Sequence, residues 1–270
     1  METSGARLPP RKLGELVRSW RTARRISQEA LADRAGVSAR HLSFVENGRS
    51  QPSREVVLAL AGALDVPIRE RNALLAAAGF AAAFTCSPLE ADELAYLRKA
   101  IAHVLAQQEP YGAVVVDGRW DVIDMNNGAR RLFARFPPED LSAAANLIVG
   151  TLHPKGLRPY IVNWDELAGL LVARLHREVS ARPADEELAR LLARVLALPG
   201  VPAAWRVPAP GRIAAPFATV HLRSPSFEVR VFTMLTSIGT ALDVTAEEVH
   251  IESYFPADDA SERALRALSS

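Results

Sequence analysis

Arg40 and Ser43 stand three residues apart in the run Ala39-Arg40-His41-Leu42-Ser43-Phe44-Val45-Glu46. A helix through this run turns Leu42 and Val45 inward and leaves Ala39, Arg40 and Ser43 outward. That outward set suits the reading of base edges: an arginine bonds guanine bidentately, and an alanine meets a thymine methyl. Ser38 supplies the N-cap at the same end of the helix. Asn47, Arg49 and Ser50 follow it and are placed to meet phosphates. Arg54 and the Arg24-Arg25 pair are further phosphate candidates, and for each of these charges a solvated face is the plainer alternative. Glu46 reads as structural, with Arg18 or Arg21 as its partner. His41 reads as a packing residue rather than an acid or base.

Other chemistry finds little support. The six histidines (41, 103, 153, 176, 221 and 250) show no metal-binding spacing. His250 between Glu248 and Glu252 reads as a solvated stretch of strand, so no metal is expected. Cys86 is the single cysteine, which excludes an intrachain disulfide and a cysteine-based zinc site. No dinucleotide fingerprint, phosphate loop or nucleophile elbow is present. Neither catalysis nor a cofactor is expected.

Charge separates the chain into two parts. Residues 1–54 carry 11 Lys and Arg against 5 acids, a net of +6; of the chain's 32 basic and 31 acidic residues this leaves 21 and 26 for the rest, a net of −5. A basic head on an acidic body points to a polyanion as the head's partner. With 49% hydrophobic and 23% charged residues, the composition is globular. No apolar run is long enough to span a membrane, and the polar, basic N-terminus has no signal-peptide pattern. A cytoplasmic protein is expected.

The elements that must position Arg40 are short. Five helices are predicted: Leu13–Arg24, Gln28–Ala35, Ala39–Asn47, Arg54–Leu64 and Arg69–Ala78. Ser27 and Ser38 cap the second and third, and Gly36 breaks the chain between them. Two such helices around a tight glycine turn make a helix-turn-helix, whose second helix enters the major groove of double-stranded DNA. The wording "ISQEALADRAGVSARHLSFVENGRSQPS" resembles the Xre/Cro/phage-repressor family over about residues 10–66. That resemblance implies a further phosphate contact from Gln28, at the start of the second helix. A homodimer on a two-fold operator is expected.

The body follows a linker at about residues 80–88, between a head of residues 10–79 and a domain of residues 89–270. Ser87-Pro88-Leu89-Glu90 predicts a capping box opening a helix that ends near Pro110. Ala113–Val116, a two-residue Asp117-Gly118 turn and Arg119–Asp124 predict a hairpin. In that hairpin Trp120, Val122 and Asp124 share one face, and Asp121, Ile123 and Met125 the other. A short helix carries Leu132 and Phe133. Asn163 and Glu166 box a longer helix with Trp164, Leu167, Leu171, Leu175 and Val179 on one side. Another helix, about Asp185–Leu198, ends at Pro199-Gly200. After a proline-rich loop (Pro202, Pro208, Pro210, Pro216), strands follow at Phe217–Leu222, Phe227–Thr236 and Val249–Phe255. The predicted class is α+β: a five-helix head, then an antiparallel sheet with helices on one side.

The stretches "DGRWDVIDMNNGARRLF", "NLIVGTLHPKGLRPYIVNWDELA" and "GTALDVTAEEVHIESYFPADD" resemble the PAS-like ligand-binding domain of MmyB-type transcription regulators. After Pro199 the family pattern is reduced to Trp205. The resemblance implies a small apolar effector, a fatty acid first among them. Trp120, Val122, Phe133, Trp164, Leu171, Val220 and Phe232 are the candidate pocket residues, although each would serve equally as plain core. Arg158 would hold a carboxylate head or make a surface ion pair. A body that binds another protein and no small molecule is the alternative reading.

Overall fold

The computed structural model describes residues 12–183, 185–207, 219–239 and 241–269. Arg7, Arg11, Pro208, Pro210, Pro216 and Phe217 lie outside the described residues, as does the expected start of the head at residue 10. The chain divides into two compact units, the first mainly of residues 12–86 and the second mainly of residues 87–269.

The first unit contains α1 (Leu13–Ala23), α2 (Gln28–Ala35), α3 (Ala39–Glu46), α4 (Arg54–Ala63) and α5 (Ile68–Ala77). Ser27, Ser38 and Ser53 cap α2, α3 and α4 by accepting from the N–H three residues on, which satisfies donors that a helix start leaves open. Gly36 ends α2 at φ 67°, a left-handed turn that glycine enters without a Cβ penalty. Trp20, Leu31, Leu42, Leu60, Leu64, Leu74 and Leu75 are fully buried in one core. Gly14 lets α1 press against the end of α3. A methyl group there would stand 2.5 Å from the Glu46 carbonyl oxygen and 2.6 Å from that of Val45.

The expected linker is largely part of this unit. The Asn72 side chain accepts from the N–H groups of Ala83 and Phe84 and donates to the Phe84 carbonyl. Small, weakly patterned residues carry no sign of such stapling, because the side chain that makes it lies on the preceding helix.

The second unit is built on a five-stranded antiparallel sheet of β1 (Ala113–Val116), β2 (Val122–Met125), β3 (Thr219–Ser224), β4 (Phe227–Ser237) and β5 (His250–Pro256). The order is β2-β1-β5-β4-β3. Its helices are α6 (Ala95–Gln107), α7 (Asn127–Phe133), α8 (Leu147–Leu152), α9 (Trp164–Ala181), α10 (Glu186–Leu196), α11 (Val244–Glu248) and α12 (Asp259–Ala267). The main core joins Val114, Val116, Val229, Val231 and Tyr254 of the sheet to Leu132, Ile148, Leu167, Leu175, Leu188 and Val195 of the helices. The α+β class is as expected. The exception to one-sided packing is α6, whose Ile101 and Leu105 cover Ala113, Val115, Val249 and Ile251 on the opposite face.

Three local expectations are corrected. No helix starts at Pro88: Ser87 gives its N–H to Asp243 and its carbonyl to the Thr245 hydroxyl, and the chain enters α6 through a 3-10 turn at Asp92–Leu94. The hairpin turn is not two residues long. Asp117 accepts from the N–H groups of Arg119 and Asp121, and Trp120 takes φ 68°, so pairing resumes only at Val116–Val122. A bulge follows, with Val114 opposite Met125. It puts Val122 and Met125 on the inward side together and expels Ile123, which is 41% exposed.

Candidate functional site

In the head, the third helix presents the expected face. Ser38, Ala39, Arg40, Asn47 and Arg49 are exposed, Ser43 and Ser50 half-buried, and Leu42 and Val45 buried. The Arg40 guanidinium lies over the Phe44 ring at 5.4 Å. Phe44, one turn further along, therefore steers Arg40. The i, i+4 spacing carries that signal in the sequence.

Glu46 anchors the back of this surface. Its carboxylate accepts from Arg21 at 2.7 and 3.0 Å, from Gln28 at 2.7 Å and from Arg18 at 3.5 Å. Burial alone would raise its pKa. The hydrogen bonds from Arg21 and Gln28, the Arg21 charge and the bond from Arg18 outweigh that and hold it below the ordinary carboxylate value. Arg18 also donates to the Glu46 carbonyl and to Asn47 Oδ1 at 2.9 Å. The ends of α1, α2 and α3 are thus joined through one carboxylate.

This network uses side chains that were expected to meet DNA. Gln28 gives an amide hydrogen to Glu46. Asn47 donates to the Ser43 carbonyl and accepts from Arg18, so it closes α3 rather than standing free. Arg24 donates to the Asp65 carbonyl and covers Trp20. Arg40 and Arg49 carry no ion pair among the described residues. Ser38 spends an acceptor on its cap and keeps its hydroxyl hydrogen.

In the body, a cavity of about 230 Å3 lies between the sheet and α7, α8 and α9. Of the expected residues, Trp120, Phe133, Leu171 and Val220 line it. Trp120 arrives from the turn rather than from a strand face. Its left-handed backbone, unusual outside glycine, is held by several contacts. Its indole N–H donates to Glu178 at 3.0 Å, its carbonyl accepts from Leu147 N–H at 2.8 Å, and Arg174 covers its ring at 4.2 Å.

Three candidates are elsewhere. Phe232 points to the opposite face of the sheet and stacks on Phe255 at 5.4 Å, because Val231, not Phe232, is the inward partner of Val220. Trp164 lies outside the cavity, stacked on Trp205 at 6.1 Å and covered by Arg158 at 4.0 Å. Arg158 donates to the Pro199 carbonyl and has no ion pair among the described residues. Val122 lines a neighbouring space, as the bulge requires.

The cavity's polar groups were not foreseen. Arg174, Arg177, Thr233, Glu252 and Tyr254 all reach it. Arg174 pairs with Glu178 at 2.9 Å. Arg177 is exposed and has no carboxylate partner among the described residues. Burial raises the Glu252 carboxyl above its ordinary value, against a hydrogen bond with Thr233 and the charge of Arg174. Burial, then the Glu252 charge, pushes Tyr254 well up. Glu248 and His250 form no metal cluster with Glu252 among the described residues.

A helix-turn-helix head and a separate sheet domain with a cavity are the parts of a DNA-binding transcription regulator with a ligand-binding domain. A family model described as helix-turn-helix matches residues 17–71. A second, described as MmyB-like transcription regulator ligand binding domain, matches residues 97–268, and the chain belongs to that family. No curated protein matches the chain. No helix among the described residues is long and apolar enough to cross a membrane.

Proposed function

We propose that the chain is a one-component regulator of the cytoplasm. Its head binds a two-fold DNA operator as a homodimer, and its body senses a small apolar ligand, a fatty acid first among them. The observation that carries the sensing half is the cavity. Leucine, isoleucine and aromatic side chains wall it, and two arginines reach it, of which Arg177 is exposed and unpaired among the described residues. An apolar chain with an anionic head fits that polarity. A body serving only as a protein-interaction module would be expected to have a filled interior.

Dimer symmetry would set two copies of α3 about 34 Å apart, one turn of DNA. Ser38, Ala39, Arg40 and Ser43 then meet the groove, and Arg49 and Ser50 meet phosphate. Gln28 and Asn47 act mainly by holding α2 and α3. Ligand acts by binding DNA-competent and DNA-incompetent arrangements with different affinity.

Native mass spectrometry of gently purified protein, repeated under denaturing conditions, tests the sensing half. A retained mass released on denaturation is expected, with a fatty-acid mass first among them. Protein that is clean and gains no mass when incubated with fatty acids would overturn the reading in favour of the interaction module. The same spectra read the oligomeric state. For the DNA half, Arg40→Ala is expected to cost about 1–3 kcal/mol of binding and relax one base position. Selection from a random DNA library would show it, and an unchanged preferred sequence at full affinity would refute the assignment of α3.

A further inference from the structure

Phe44 lies on α3 without a part in the head's core. Leu42 is fully buried, so the direction opposite it on the helix is outward. At about 100° per residue, Arg40 and Phe44 flank that direction, each about 20° from it, whereas Ser43 is about 80° away and Ala39 about 120°. The Phe44 ring is half-buried, but it is not among the side chains packed against the core of the head. Arg40 is exposed and covers the ring in part, its guanidinium 5.4 Å from the ring centre. The middle of the outward face is therefore a cation beside an apolar ring, kept together by the i, i+4 spacing and the attraction of the ring face for positive charge.

Such a pair fits a step of two bases. A guanidinium bonds guanine O6 and N7 in the plane of the base, and a phenyl ring meets the C5 methyl of a pyrimidine. Where a pyrimidine stands immediately 5′ to guanine on one strand, its C5 position lies beside the O6/N7 edge of that guanine in the major groove. A guanidinium bonded to that edge then has the methyl group next to it, and so does a ring in contact with the guanidinium.

We propose that Arg40 and Phe44 read two neighbouring bases as a unit: a guanine and, immediately 5′ to it, a pyrimidine carrying a C5 methyl group, thymine or 5-methylcytosine. Phe44 is then a specificity-determining residue as well as a support for Arg40. This deepens the DNA-binding reading and rests on it.

The test starts from the sequence that the full-length chain selects out of a random DNA library, where a thymine–guanine step in each half-site is expected. Four duplexes then differ at the pyrimidine, which is thymine, uracil, cytosine or 5-methylcytosine with its matching partner opposite, and fluorescence anisotropy measures their binding. A buried methyl group tightens binding about fourfold per half-site, from roughly 0.8 kcal/mol per buried carbon. The wild type is expected to prefer thymine to uracil, and 5-methylcytosine to cytosine, by about that factor. A preference for thymine over uracil with no gain from methylating cytosine would fix thymine as the base that is read. Phe44→Ala is expected to lose the discrimination and keep its preference for the guanine. Phe44→Leu, which retains an apolar surface, should keep part of the discrimination. A wild type that binds uracil as well as thymine would overturn the proposal, and that measurement needs no variant to fold. A selected half-site with no pyrimidine–guanine step would do the same. So would a Phe44→Ala chain that still tells thymine from uracil while binding every duplex more weakly, the outcome for a ring that only steers Arg40. If the library returns no preferred sequence, the assignment of α3 itself falls, and the proposal with it.

Discussion

Glu46 in the head and Glu252 in the body are both carboxylates withdrawn from bulk water, and they are held in opposite ways. Glu46 meets three donor side chains from two helices and stays charged below its ordinary pKa. Glu252 reaches a largely apolar cavity, and burial raises its pKa against a hydrogen bond with Thr233 and the charge of Arg174. The head spends its buried charge on fixing one geometry. The body keeps a carboxyl that is costly to ionise, beside a space that a ligand can enter. A reading surface needs rigid placement, whereas a sensing surface needs groups whose state changes when something arrives.

The largest expected effect comes from Glu46→Ala. Removing one partner of a buried ionic cluster costs about 3–5 kcal/mol. Arg21 retains some exposure (17%), so about 3 kcal/mol is expected. Urea unfolding of the full chain would measure it, and a loss under about 1 kcal/mol would erase the contrast with Glu252. Next is Gly14→Ala. The added methyl meets backbone, which cannot swing aside, so about 1–3 kcal/mol of overpacking is expected. DNA affinity should fall with it as α3 is displaced, and unchanged affinity would separate the seating of α3 from its reading.

The pH dependence sharpens the comparison further. Glu46 has a lowered folded pKa, so its contribution is complete above the unfolded value of about 4.3 and is lost as pH falls through the folded value. Glu252 has a raised one, so its contribution is complete below about 4.3 and is lost as pH rises through the folded value. The smallest effect follows from this. Glu252→Gln should leave acid stability nearly unchanged and flatten or raise the stability curve towards neutral pH. A thermal series from about pH 2 to about pH 8 compares the two, the Glu46 loss falling at its acid end and the Glu252 loss towards neutrality, and a Glu252→Gln variant less stable at neutral pH would mean that the charge is better satisfied than its surroundings suggest.

The head was more legible than the body, for physical reasons. Its helices are local: caps at Ser27, Ser38 and Ser53 and a left-handed Gly36 mark their ends within a residue or so. In the body, long-range partners decide. Ser87 has the look of an N-cap, yet both its backbone groups are bound to residues around 243–245. Phe232 looks like a pocket residue until β3–β4 register fixes which parity faces in. Met125 leaves its expected alternation and joins Val122 on the inward side because a bulge shifts the β1–β2 register between Val115 and Val116. Some signals were local and went unread: Asp243 caps α11 and Asp258 caps α12, each with its own side chain. The polar cavity groups Arg174 and Glu252 come from a helix and a strand whose meeting no sequence pattern announces.

Gly14 has a consequence for descent. The seat of the recognition helix depends on a missing methyl on α1, on the far side from the residues that face outward. Seating and vocabulary are therefore separately heritable. On the proposed reading of the groove by Ala39, Arg40 and Ser43, changes at those positions would rewrite the sequence that is read while the posture of the helix is passed on intact, so a lineage of such proteins could acquire new operators without rebuilding the head.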